Sequence, residues 1–208
     1  MRTLITGLCA LVASLAFAQA PQGEPPVAFK TDIRQAELLP APAGFVWQRL
    51  EEIQAAVVVP EGWNRYTKRG PNERLVAFSP DKLDANNQFQ TGLSVRLVWH
   101  PRAQAGQEAK AVEQILAAIV NSIESNKTDN KVLRGTMQER NGKKMLIVRH
   151  RNAPSGLPPV VVHTVAIGDP ASGMVYQFIF ESPETSWDES WKVGEQILSR
   201  ILILFQRG

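Results

Sequence analysis

The sequence predicts an α+β domain built on antiparallel strands. Three observations carry that prediction. Runs rich in β-branched and aromatic residues recur between Gly, Pro, Asn and Asp clusters. Asn141-Gly142 separates two such runs by the pair of residues that a tight hairpin favours. Two other stretches, near 110–124 and 186–201, space their apolar residues at a helical period instead.

The strands come in order. Phe45 to Leu50 and Ala55 to Val59 read as the first two, and Pro60-Glu61-Gly62-Trp63 closes the second with a turn. Asn64 to Lys68 and Glu73 to Ser79 flank Arg69-Gly70-Pro71-Asn72 as a hairpin. Thr91 to Trp99 is a further strand. Then Val112, Ile115, Leu116, Ile119, Val120 and Ile123 line one face of a helix whose other side is polar. Two hairpins follow: Val132 to Glu139 with Lys143 to His150, and Pro159 to Ile167 with Met174 to Glu181. Apolar residues on both parities, as in Val160-Val161-Val162, fit strands covered on both faces. The last element is a helix. Ser186 with Glu189 three residues on predicts a capping box. Trp187, Trp191, Gly194 and Leu198 then share one face, and Gly194, costing about 1 kcal/mol in a helix interior, implies close packing there.

The start of the chain predicts export. Met1-Arg2-Thr3, an apolar run to Phe17 and Ala16-Phe17-Ala18 before Gln19 fit a signal peptide over 1–18, cut between Ala18 and Gln19. Leu8 before Cys9 argues against a lipid anchor. The mature chain then holds no cysteine, which excludes disulfides and thiolate chemistry. Residues 19–44, with Pro21, Pro25, Pro26, Pro40 and Pro42, read as a flexible tether. Residues 45–204 read as a single domain. No later stretch is apolar and long enough for a transmembrane span. A net charge of +3 says little about partners, and no base-reading motif supports nucleic acid.

Specific words then match a family. "VVVPEGW" (57–63), "VAFSPD" (76–81), "GLSVRLVW" (92–99) and "YQFIFESPETSWDESWKVGEQILSRI" (176–201) resemble, in order, the strand ends and closing tryptophan helix of PsbP-like proteins. That superfamily includes the photosystem II subunit PsbP, periplasmic DcrB and a Ran-binding release factor. The resemblance implies a central antiparallel sheet with helices on both faces, a PsbP-like α/β/α sandwich. It implies no shared enzymatic activity, and its members are mostly binding or assembly factors. The closer likeness is to bacterial envelope members. The expectation is a non-catalytic periplasmic or secreted protein that binds a protein partner or helps assemble an envelope complex. No cofactor is expected.

The Trp187–Trp191 pair fits a helix packed on a sheet better than a ligand stack. His150 and His163 fall almost opposite each other if their strands pair, which would suit a metal and gives the alternative reading, a small-ligand or metal-binding protein. His100 joins only if its strand end lies nearby. Arg140, Lys143, Lys144, Arg149 and Arg151 make a basic hairpin that fits an acidic partner or an anionic surface. With no nucleophile elbow and no His-Glu-x-x-His pair, a hydrolase is the weakest reading.

Overall fold

The computed structural model describes residues 38–83, 89–99, 106–125, 130–153 and 156–203. The signal-peptide segment 1–18, with its cut at Ala18–Gln19, and tether residues 19–37 lie outside the described residues.

The described chain is mostly strand, with two antiparallel sheets and two helices, an α+β fold. Its elements are β1 (Phe45–Leu50), β2 (Ala55–Pro60), β3 (Asn64–Gly70), β4 (Glu73–Ser79), β5 (Gly92–Trp99), α1 (Glu108–Ser125), β6 (Asn130–Arg140), β7 (Lys143–Asn152), β8 (Val160–Asp169), β9 (Met174–Pro183), α2 (Trp187–Leu198) and β10 (Leu202–Ile203). The large sheet runs β3-β4-β5-β9-β8-β7-β6, and the small one β1-β2-β10. The end of the tether is held to β1. The Trp47 indole donates to the Leu39 carbonyl at 2.6 Å, and the Phe45 amide to the Pro42 carbonyl at 3.0 Å.

Turn chemistry explains the hairpins. Asn141 and Gly142 both take positive φ, 51° and 69°, and join Arg140 to its partner Lys143. That is the conformation a two-residue hairpin loop needs.

Strand alternation distributes the core. Along β9, Tyr176, Phe178 and Phe180 join one apolar cluster with Trp187 and Ile197 of α2. Val175 joins a second cluster with Val112, Ile115, Leu116 and Ile123 of α1. Each helix presses on a place where a larger residue would collide. A Cβ on Gly168 would meet Val112, and a Cβ on Gly194 would lie 2.7 Å from the Phe180 ring.

One local expectation fails. The capping box does not form: Ser186 makes no side-chain cap bond. A 3₁₀ turn, Glu184–Ser186, runs straight into α2, and the Ser186 hydroxyl donates back to the Pro183 carbonyl at 3.3 Å. β10 is too short, at two residues, to carry a periodic signal in the sequence; it pairs with Ala55 and Ala56 of β2. No helix among the described residues is long and apolar enough to cross a membrane.

Candidate functional site

The five cations expected to form one surface are divided between faces. Successive strand residues point to opposite sides, so β7 sends Lys143, Arg149 and Arg151 one way and Lys144 the other. Lys144 pairs with Glu113 on α1, holding that carboxyl below its ordinary range. Lys143 donates to Asp169 at 2.6 Å, and the Asp169 side chain is 1% exposed. Arg151 donates to Glu184 at 2.8 Å. The Arg149 guanidinium lies 4.1 Å from the Trp191 ring centre and 5.1 Å from that of Trp187. Of these five, Arg140, beside the turn, is the one that stands exposed with no salt-bridge partner among the described residues. The four cations of β7 are therefore held in separate internal contacts and do not form one basic patch.

The histidines are not opposed either. The β7–β8 ladder sets Arg149 against His163, and His150 against Val162. One residue of register moves a side chain to the other face of the sheet, so His150 and His163 share no face and cannot hold one ion together. His163 packs on Trp191, ring centres 4.6 Å apart, and its Nδ1 accepts from Arg149 Nε at 3.2 Å. Burial, and then the charges of Arg149 and Arg134, push its pKa down to about 4. His150 is buried with neither ring nitrogen hydrogen-bonded, and burial pushes it down to about 4 as well. Among the described residues, no three His, Cys, Asp or Glu side chains gather as metal ligands. His100 lies outside the described residues.

The tryptophans lie between α2 and the sheet. Trp187 and Trp191 stack with centres 5.2 Å apart and planes 19° from parallel. Phe180 meets both, at 6.0 and 6.2 Å. Arg149, His163 and Phe180 thus take up the ring surfaces a ligand would use. Nearby, the buried Ser182 hydroxyl donates to Ser190 at 2.9 Å and fastens β9 to α2.

One surface was not singled out from the sequence. β6 is an edge strand of the large sheet, and every residue from Lys131 to Arg140 is exposed. Val132, Leu133 and Met137 are large apolar side chains 50%, 49% and 57% exposed. Behind the strand lies an apolar slot of about 260 Å³, between Val120 and Ile123 of α1 and Val132, Met137, Leu146 and Val148 of the hairpin. Gly135 helps to keep it open, since the nearest atom to a Cβ there would be Val132 Cγ1 at 4.0 Å. A glycine inside a strand marks such a gap, and it was the signal available in the sequence.

Solved structures of other proteins are similar to this chain. The solution structure of cyanobacterial PsbP (CyanoP) from Synechocystis sp. PCC 6803 is similar at 16% identity, over 79% of this chain and 95% of that one, with a TM-score of 0.48. The Ran-binding protein Mog1p of Saccharomyces cerevisiae is similar at 12% identity, over 76% and 95%, with a TM-score of 0.45. Both belong to the PsbP-like superfamily. At these scores the likeness assigns no partner and no site. No protein-family model and no curated protein matches the sequence.

Proposed function

We propose that this chain is a non-catalytic binding protein of the bacterial envelope, exported by residues 1–18, and that it takes a protein partner at the β6 edge. The observation that carries this is the edge itself. An 11-residue strand with one side unpaired among the described residues, and with exposed Val132, Leu133 and Met137, is a surface that folded proteins usually cover or blunt. Its basic start and its small-x-small site before Gln19 support export. The same reading takes the fold as an α/β/α sandwich, with α1 and α2 on opposite faces of the large sheet. The alternation along β9, with Val175 in one cluster and Tyr176 in the other, supports it.

The test is a photo-crosslinking residue placed at Met137 in cells, with Lys68 on the opposite edge strand as control. The expected result is a discrete adduct from Met137 and none from Lys68. Adducts of equal yield from both, or none from Met137, would remove the proposal. N-terminal sequencing of the purified protein should begin at Gln19; an uncut Met1 would remove the export reading.

A further inference from the structure

We infer that β6 accepts an extended, acidic segment of its partner as an added strand, with one apolar side chain entering the slot beside Gly135. This rests on the proposed binding role and names the mode and chemistry of that binding.

The charge pattern of the hairpin carries the inference. Each basic residue of β6 stands opposite a basic residue of β7: Lys131 against Arg151, Arg134 against Arg149, and Arg140 against Lys143. Like charges directly opposed in a sheet are destabilising. In each pair the β7 member has its own compensation. Arg151 has Glu184, Lys143 has Asp169, and Arg149 has the tryptophan rings and His163. The β6 members have no acid within salt-bridge distance among the described residues. The one acid of the strand, Glu139, stands opposite Lys144. The uncompensated cations therefore sit on the strand whose outer side is unpaired among the described residues, where acids on an added strand would meet them.

Geometry sets the register. The ladder shifts between Val132 and Arg134, a bulge that makes the first part of the edge a poor template. Arg134 to Arg140 is regular. There Arg134, Thr136, Gln138 and Arg140 point to one face, and Gly135, Met137 and Glu139 to the face of the slot. An antiparallel partner would place acids opposite Arg140 and Arg134, six residues apart, and an apolar residue opposite Gly135. Backbone hydrogen bonds would supply affinity, and the slot and the charges selectivity, as in other strand additions.

The probe is a fluorescent peptide, Glu-Lys-Thr-Val-Thr-Leu-Glu, titrated into the mature protein at low salt. Its first Glu is set against Arg140, its Leu against Gly135 and its last Glu against Arg134. Three results are expected. Arg134→Glu weakens binding by about tenfold, and a peptide with Lys for the last Glu recovers it on that variant. Gly135→Val, which fills the slot, weakens binding of the Leu peptide more than of one with Ala there. Backbone N-methylation of the peptide abolishes binding. Binding indifferent to the charge swap, or retained after N-methylation, would overturn the inference. So would self-association of the chain through this edge, which Arg134→Glu would relieve in sedimentation. If the Met137 adduct forms while the peptide fails, the binding role stands and this mode falls; if neither is seen, both fall.

Discussion

Replacing Gly194 by Ala sets two opposed effects against each other. In an exposed helix the change is favourable by about 1 kcal/mol, because alanine loses less backbone entropy. Here the new methyl would lie 2.7, 2.8 and 2.9 Å from three atoms of the Phe180 ring. That ring is enclosed: Phe180 is 0% exposed and bordered by Trp187 and Trp191. Overpacking of this kind costs about 1–3 kcal/mol, and an enclosed ring places the cost toward the upper end. The net expectation is a loss of about 1–2 kcal/mol, or roughly 2–8 °C in Tm for a domain of this size. Urea unfolding followed by tryptophan fluorescence measures it, with Gly135→Ala as the control. A Cβ at Gly135 has 4.0 Å of clearance, so that change should be neutral or mildly stabilising. A higher midpoint for Gly194→Ala would show that α2 is not pressed on Phe180 and would refute the packing argument.

Lys143→Glu should cost about 1.5–3 kcal/mol, because it removes the charged partner of a buried Asp169, leaving the Ala171 amide and Ser172 hydroxyl on it, and sets a second carboxylate beside it. Denaturation midpoints equal to those of the parent would refute this. Stability should also vary with pH in two opposed ways. His150 and His163 titrate near 4 when folded against an ordinary 6.5, so the unfolded chain takes up their protons first. Their contribution is complete above pH 6.5 and is lost as pH falls toward 4, by about 3 kcal/mol each. Glu181, partly exposed as a residue but with its carboxyl desolvated by burial, is raised to about 7 from 4.5. Its contribution is complete below pH 4.5 and is lost as pH rises through 7. Urea midpoints from pH 4 to 8 should therefore peak between these limits, and Glu181→Gln should steepen the acid limb and flatten the alkaline one. An unchanged profile for that variant would refute the assignment.

Local signals made most of the elements legible. Asn141-Gly142 set one turn, and the spacing of Val112 to Ile123 set α1, because turn conformation and helix period depend on residues close in sequence. Gly194 foretold a close approach, but its partner, Phe180, lies on another element. Ser186 shows how a strong local motif can lose: a 3₁₀ turn took the helix start, and the hydroxyl turned to Pro183.

The candidate sites were much less legible, for one physical reason. A strand's side chains alternate with a period of two, so a single residue of register decides which face each occupies. The sequence could bring His150 and His163 near each other but could not fix that residue; the ladder Asn152↔Val160 did, and it separated them. The same alternation sent Lys143 to Asp169 and Lys144 to Glu113, partners 26 and 31 residues away. Nor does local sequence state that β6 ends the sheet. By itself, then, the sequence determined most of the elements and the Asn141-Gly142 turn, since these follow from neighbours along the chain. Tertiary structure alone decided which charges are compensated and which strand is left unpaired, because both depend on pairings between distant segments.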